Sequence, residues 1–377
     1  MSRLYYEETG SDLTMTEQLT VKPLRVGVVS TGGIFRGAHM PAFVANPYTE
    51  IVAVCDPHKS SACEVADELG QVRVYTEWQE MLEREDLDII DICSPNYLHA
   101  TVAIAALEHG FHVFCEKPDA ISPEEAIKMQ EAAERSGKVL MVMRNNRFRP
   151  RSRFLKQWIN DGGAGELYTG RCGWLRRKGI PGKGGWFTTK SMSGGGPLID
   201  LGVHMIDLAV WLMGNPKPIS VTGATYSHFG QAHIKGETRV VEGNTYDVED
   251  LATGFIRFDN GATLQVEVSW ASHIEQDELF VEMRGTKAGF SLKNEEFKLF
   301  TDMAGEPLNQ MPQVPMGGWG HQENVNHFVD VVRGVVEPDF TPDQGIDMIR
   351  ILDAMYRSAK EGREIRLDVD TLGADLA

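Results

Sequence analysis

RVGVVSTGGIF (25–35) is a short apolar run that passes without a break into a glycine turn and then into helix-forming sequence. An uninterrupted apolar run of this length suits a strand buried on both faces, as in a parallel sheet. Four similar runs follow: IVAVCD (51–56), LDIIDICS (87–94), FHVFCEK (111–117) and KVLMVM (138–143). Amphipathic stretches lie between them, namely SSACEVADELG (60–70), LHATVAIAALEHG (98–110) and PEEAIKMQEAAERSG (123–137). Ser122 is placed to cap the last of these, with Pro123 at its first helical position. Gly70, Gly110 and Gly137 each stand where a helix ends in the left-handed conformation. Strand and helix therefore alternate, which predicts a doubly wound α/β unit over residues 23–147.

The turn Ser30-Thr31-Gly32-Gly33-Ile34-Phe35 is where such a unit holds a dinucleotide. Glycines let the backbone N–H groups approach a pyrophosphate, and the following helix N-terminus favours its charge. Ser30 stands where the first glycine of the usual fingerprint falls. The next strand ends in Asp56, 24 residues after Gly32. An acid there accepts from ribose hydroxyls and repels a 2′-phosphate, so NAD is expected over NADP, although His58 and Lys59 soften that preference. Gly32, Gly33, Ile34, Phe35 and Asp56 are the first cofactor-binding candidates.

Beyond residue 147 the pattern changes. A helix is expected near 150–160, a strand at LYTGRCGWLRR (167–177) and a helix at about 198–213. Residues 217–300 hold period-2 runs such as TGFIRF, TLQVEVSW, LFVEMRG and GFSL, and DNGA (259–262) reads as a hairpin turn. ENVNHFVDVVRG (323–334) and PDQGIDMIRILDAMYRSAKEG (342–362) read as closing helices. Residues 148–377 are thus expected to form an α+β domain with a large, open, mainly antiparallel sheet.

Composition narrows the function. The 377 residues carry 37 Lys and Arg against 54 Asp and Glu, a net charge of −17. That balance argues against a nucleic-acid or anionic-membrane partner, both of which need basic surface. No apolar run approaches the length of about 18 residues that a membrane span needs. Residues 1–22 contain Glu7, Glu8, Asp12 and Glu17 and no apolar core, so a flexible extension is expected rather than a secretory signal. The five cysteines, Cys55, Cys63, Cys93, Cys115 and Cys172, show no Cys-x-x-Cys spacing, and Cys55, Cys93 and Cys115 sit in core-like runs. Reduced thiols and a cytoplasmic location are expected, with neither disulfides nor a thiolate metal site. Asp200 with His204, His109 with His112, and His321 with His327 lack a convincing third ligand, so no metal is expected.

Three further segments complete the reading: SPNYLH (94–99), Glu116-Lys117-Pro118, and GGGPLIDLGVHMIDL (194–208), which contains Asp200-x-x-x-His204 and then Asp207. In combination, from about residue 24 to 362, the chain resembles the Gfo/Idh/MocA oxidoreductases, which include inositol and glucose–fructose dehydrogenases. The resemblance implies a Rossmann NAD(P)-binding domain and an α+β domain whose sheet makes a homo-oligomer, a dimer or tetramer. It also implies NAD-linked oxidation of a sugar or cyclitol hydroxyl, or the reverse reduction. Ser30 and Asp119 depart from the family pattern; an exposed loop position is the plain expectation for Asp119.

Removing hydride from a secondary alcohol needs a base for the hydroxyl proton and positive charge near the developing oxyanion. Asp200 and His204, four residues apart, share a helix face. His204 is expected near its titration midpoint at neutral pH, with Asp200 orienting substrate or stabilising the imidazolium and Asp207 orienting His204. Lys117 lies at a strand end facing the nicotinamide crevice, and Pro118 keeps it extended. Lys117, Asp200 and His204 are the catalytic candidates. Ser94, Pro95, Asn96, His99, Glu116 and Lys117 are expected on the nicotinamide side, and Lys117, Asn145, Arg147, Trp186, Asp200 and His204 against substrate. Arg176, Arg177, Lys183 and Phe187 flank Trp186, while Trp319 and His321 are looser candidates for completing the pocket. Plain alternatives stand beside these: a surface Lys117 paired with Glu116, an ordinary helix histidine at 204, an N-cap at Asp200, a core tryptophan at 186, solvated loop residues at 145 and 147. Two other functions compete with the dehydrogenase: an NAD-dependent glycosidase working by transient ring oxidation and elimination, and a nicotinamide-binding regulatory protein without turnover.

Overall fold

The computed structural model describes residues 22–70, 72–230, 245–294 and 296–367. The expected extension 1–22 lies outside them except for Lys22. Strands β1 (Leu24–Val29), β2 (Thr49–Cys55), β3 (Arg73–Tyr75), β4 (Ile89–Ile92), β5 (His112–Cys115) and β6 (Leu140–Val142) form one sheet in the order β3-β2-β1-β4-β5-β6. Every pairing in it is parallel. Val26, Val28, Ala53, Val54, Ile89, Ile90, Ile92, Val113 and Phe114 are fully buried, which is why these strands read as unbroken apolar runs. Strand order reverses between β1 and β4, and ligands of such sheets bind in the crevice outside the strand ends at that point. Ser122 Oγ accepts from the Glu125 N–H at 3.3 Å, and Gly137 closes the helix Pro123–Ser136 at φ 66°. Neither β3 nor the helix Trp78–Arg84 was legible in the sequence: β3 is a three-residue edge strand with no fully buried side chain.

The second sheet has nine strands: β7 (Leu167–Leu175), β8 (Pro218–Tyr226), β9 (Leu251–Phe258), β10 (Thr263–Ser269), β11 (Glu278–Gly285), β12 (Gly289–Lys293), β13 (Glu296–Met303), β14 (Glu306–Gln310) and β15 (Ile365–Arg366). Their order is β14-β13-β12-β11-β7-β10-β9-β8-β15. All pairings are antiparallel except β7 with β10, so the sheet is mixed at its centre and antiparallel elsewhere. The DNGA hairpin joins β9 to β10, with Gly261 at φ 83°. β14 escaped detection because it is an edge strand with almost every residue exposed.

The helix Val203–Leu212 packs on β7 and β11 with eight of its residues buried. It ends the one described helical run long and apolar enough to cross a membrane, Lys190–Leu212, and 83% of that run's apolar window is buried inside the fold. A core helix explains its composition. The helix Pro342–Glu361 lies between β8 and the helix Pro123–Ser136, and the helix His321–Val332 lies against Met40–Ala45. The closing helices therefore tie the second sheet to the first unit and fix the crevice between them.

Candidate active site

A cavity of about 400 Å³ opens where the two units meet. The loop after β1 contributes Ser30, Gly32, Gly33 and Ile34, the segment after β4 contributes Cys93 to Asn96, and the end of β5 contributes Glu116 and Lys117. Trp186, Phe187 and Asp200 close it from the other side. A Cβ built on Gly32 or Gly33 meets nothing within 4 Å, so this turn presents bare backbone to open space. The Ser94 hydroxyl is buried in the wall without a partner. These features fit a dinucleotide.

Asp56 stands beside the turn at the end of β2 and anchors it. Its Oδ2 accepts from the Thr31 N–H at 2.9 Å and the Thr31 hydroxyl at 3.1 Å, and its Oδ1 from the His58 N–H at 2.9 Å. A carboxylate has about four acceptor sites, which leaves one for a ribose hydroxyl. Arg36, which carried no motif, braces the same turn through the Thr31 carbonyl at 3.0 Å and the Ser61 carbonyl at 2.9 Å. Ser30 takes φ 81°, a conformation that costs a side-chain-bearing residue about 1–2 kcal/mol. Ser30→Gly removes that strain but adds about 0.5–1 kcal/mol of chain entropy. The expected net effect is a gain of about 0.5 kcal/mol, read as a small rise in melting temperature.

Lys117 and Asp200 meet across the cavity. Lys117 Nζ donates to Asp200 Oδ1 at 2.9 Å and to the Asp200 carbonyl at 3.2 Å, while Trp270 Nε1–H donates to Asp200 Oδ2 at 2.9 Å. Burial works to raise the Asp200 pKa, but Lys117, Arg176 and the Trp270 N–H outweigh it and hold the carboxyl below its ordinary value. Asp200 sits in a π-helical turn, Leu198–Gly202, which leads into the helix carrying His204. Glu249 secures that turn: it accepts from the Gly196 and Leu198 N–H groups at 3.0 Å each and from the Tyr356 hydroxyl at 2.9 Å. A Cβ on Gly196 would fall 2.1 Å from the Glu249 carbonyl, which explains glycine there. Glu249, Tyr356 and Trp270 were invisible in the sequence because each acts across at least fifty residues.

His204 differs from expectation in its charge. Burial pushes its pKa down to about 3, with Lys117 adding to the effect, so the ring is neutral throughout the neutral range and not at its midpoint. Asp207 does not orient it. Instead Asp207 pairs with Arg147, whose Nε and Nη2 reach the two carboxylate oxygens at 2.8 and 2.6 Å, and with Arg144 Nε at 3.0 Å. Arg147 also donates to the Asp339 carbonyl and to Gln344. It is 1% exposed and braces the fold rather than touching substrate. Asp119, expected in an exposed loop, is buried and pairs with Arg144. Asn145 is buried, donates to the Trp319 carbonyl at 2.8 Å and does not line the cavity. His99 is fully buried between the carbonyls of Pro118, 2.7 Å, and Ser94, 2.9 Å, so it ties two cavity-wall segments together without facing the cofactor site. The Phe35 side chain is fully buried in the core and does not line the cavity. The misplaced residues share a cause: polar or aromatic residues near strand ends face either the crevice or the core, and spacing alone does not choose.

Several histidines besides His204 are held neutral by burial, His112 down to about 4 and His99, His321 and His327 also lowered. Below pH ~6.5 the unfolded chain takes up protons at these rings more readily than the folded chain does. Stability therefore falls as pH drops from about 6.5, at up to about 1.4 kcal/mol per pH unit for His204 and less at the partly exposed rings. His39, whose pKa is raised, adds nothing to this slope, because its stabilisation is complete below ~6.5 and is lost only at higher pH. The expected observation is a melting temperature that declines from about pH 6.5 to pH 5.

Aromatic side chains border the Lys117–Asp200 pair on both flanks. The Trp186 and Phe187 rings stack with centroids 3.9 Å apart. Trp174 lies 6.0 Å from the His204 ring and 6.3 Å from Trp319, nearly parallel to the latter, and Trp319 is 54% exposed. The Arg176 and Arg149 guanidiniums lie over Trp174 and Trp319 at 5.1 and 5.0 Å. Among the described residues, His39, Asp91 and Cys93 form the group with metal-ligand spacing, but their polar atoms bond one another.

This is the anatomy of a two-unit nicotinamide-dinucleotide oxidoreductase. The family described as an oxidoreductase family with an NAD-binding Rossmann fold matches residues 24–144, and the GFO/IDH/MocA C-terminal domain matches residues 152–291. D-glucoside 3-dehydrogenase of Escherichia coli (strain K12) is 35% identical over 354 residues, spanning 94% of this chain and 100% of that protein. Levoglucosan dehydrogenase of Pseudarthrobacter phenanthrenivorans (strain DSM 18606 / JCM 16027 / LMG 23796 / Sphe3) is 32% identical over 283 residues, covering 70% of this chain and 72% of the other. A levoglucosan dehydrogenase structure in complex with NADH and levoglucosan superposes with a TM-score of 0.81 at 26% identity, covering 92% of this chain and 100% of that one. The chain belongs to the Gfo/Idh/MocA oxidoreductase family.

Proposed function

We propose that this enzyme oxidises one ring hydroxyl of a glycoside or anhydrosugar with NAD, or runs the reverse reduction. The observation that carries the reading is the Lys117–Asp200 pair, set between a cavity that fits a dinucleotide and walls of stacked aromatic rings. Aromatic faces suit the apolar C–H surface of a pyranose, and the relatives' names, D-glucoside 3-dehydrogenase and levoglucosan dehydrogenase, point to the same substrate class. Inositol remains within the hydroxyl chemistry of the site but has a smaller apolar face to offer these walls.

Bound NAD supplies a hydride acceptor at C4 of its nicotinamide. The chain's own residues handle the substrate oxygen. A lysine ammonium has three N–H donors; Asp200 takes two of them, leaving one for the reacting oxygen, where it favours the alkoxide over the alcohol. His204, neutral at working pH, accepts the hydroxyl proton. Asp200 fixes the lysine and is itself fixed by Trp270. Gly32, Gly33, Ile34, Asp56, Ser94, Pro95, Asn96 and Glu116 hold the dinucleotide, and Trp186 holds the sugar. The division at residue 147 into a nucleotide-binding and a substrate-binding domain is part of this reading.

The same reading places the protein in the cytoplasm as a homo-oligomer. All five cysteines are free thiols. The outer face of the nine-stranded sheet carries a shallow trough of about 390 Å³ where Phe255 and Phe280 lie among Thr222, Thr253 and Gln265, a surface suited to pairing with a second copy. A panel of glycosides, anhydrosugars, aldoses and inositols, tested with NAD and NADP for reduced-nicotinamide absorbance, checks the function. Substrate-dependent NADH from a glycoside or anhydrosugar is expected. Aglycone release without NADH accumulation would instead establish the glycosidase mechanism, and binding of NAD with no turnover of any substrate the regulatory role.

A further inference from the structure

We propose that His39 is a positioning residue for Lys117: an imidazolium clamped between the Asp91 and Glu116 carboxylates, it holds Glu116 in the orientation that fixes the Lys117 backbone. The inference rests on the role of Lys117 proposed above.

His39 ends the π-helical turn Phe35–His39, directly after the dinucleotide turn, and is completely buried. Its Nδ1 lies 2.8 Å from Asp91 Oδ1 and its Nε2 2.9 Å from Glu116 Oε1, and both carboxylates are buried. An ionised carboxylate only accepts. Two such contacts therefore need an N–H on each ring nitrogen, so the ring is a cation. The other groups facing it are consistent with that charge: the Cys93 thiol, 3.4 Å from Nδ1, is kept a thiol by burial, and His321 is held neutral by burial. The Phe114 ring, 5.5 Å away, shields the cluster from water.

Glu116 carries the effect outward. While Oε1 meets His39, Oε2 accepts from the Lys117 N–H at 3.1 Å, and Lys117 Nζ reaches Asp200. Charges thus alternate along one line, from Asp91 through His39, Glu116 and Lys117 to Asp200. A buried ion cluster is seldom the most stable way to fill a core. Here it aligns a reacting group, and it joins the dinucleotide turn to the lysine through a single rigid element.

His39→Gln, which cannot bridge both carboxylates, and Glu116→Gln test this in the holoenzyme. Lys117→Ala serves as the control for the underlying reading. The expected result for both glutamine variants is a kcat lower by about 10- to 100-fold, as misplacing a catalytic group by about 1 Å produces. Their KM for substrate, and the Kd of His39→Gln for NAD by calorimetry, are expected to stay within about twofold, well below the melting temperature of each variant. A kcat within about twofold of wild type overturns the proposal, as does an activity loss that only tracks the fraction of folded, NAD-binding protein. If Lys117→Ala also keeps wild-type kcat, the reading of Lys117 fails; if Lys117→Ala is inactive while the glutamine variants are normal, only the positioning role fails. Should the variants not fold, nitrogen-15 imidazole shifts of wild-type holoenzyme at pH 7 decide: two protonated ring nitrogens at His39 support the clamp. A neutral ring, or a stoichiometric divalent metal bound at His39, overturns it.

Discussion

Lys117→Ala is expected to lower kcat by about 10²- to 10³-fold, the usual effect of removing a donor aimed at developing negative charge, while the Kd for NAD stays within about twofold. The side chain reaches away from the glycine turn toward Asp200, so its loss leaves the dinucleotide wall of Gly32, Gly33 and Ser94 in place. It also leaves Asp200 with the Trp270 N–H as its remaining side-chain donor, so the carboxylate is free to move. Lys117→Arg does not restore the arrangement, because a planar guanidinium cannot deliver the same tetrahedral set of donors to two Asp200 oxygens and a substrate. Steady-state kinetics paired with NAD titration calorimetry checks this. A wild-type kcat in Lys117→Ala would remove the residue from the chemistry.

The second large effect is on stability. Asp207 is 4% exposed and neutralises both Arg144 and Arg147, which are themselves buried. Asp207→Ala would strand two guanidiniums in the interior with only Asp119 as a charged partner. Breaking a buried ion pair by removing one side costs about 3–5 kcal/mol. The expected outcome is an unfolding free energy lowered by that amount, read as a lower denaturation midpoint at unchanged m-value. Replacing the whole group by apolar residues is expected to cost less than the single change, since no charge is then left unpaired. The network joins the end of β6, the helix Val203–Leu212 and the segment from Asp339 to Gln344, so its loss is expected to loosen the two units against each other.

What the sequence could show followed the range of the interaction concerned. Five of the six parallel strands, the capped helix at 123–136 and the DNGA hairpin rest on local patterns and were legible. β3, β14 and β15 were not, because edge strands bury too little to leave an apolar signature. Lys117, Asp200 and His204 were found by motif, and the structure brings Lys117 and Asp200 into contact. Which neighbouring polar residues face the crevice was not legible. Arg147 and Asp119 answer to partners 60 and 25 residues away, and Glu249 holds the Asp200 turn from 51 residues further along the chain. The protonation state of His204 was hidden for the same reason: it depends on the burial of the ring and on Lys117, not on sequence spacing.

The most direct measurement follows the hydrogen itself. A glycoside that reduces NAD in the substrate panel would be prepared with deuterium at each ring carbinol carbon in turn, and the nicotinamide product analysed by mass spectrometry. Direct hydride transfer predicts one deuterium per NADH from a single labelled carbon and none from the others, with the transfer slowed in Lys117→Ala. Unlabelled NADH from every labelled substrate, or loss of deuterium to water with no net reduction of NAD, would contradict it.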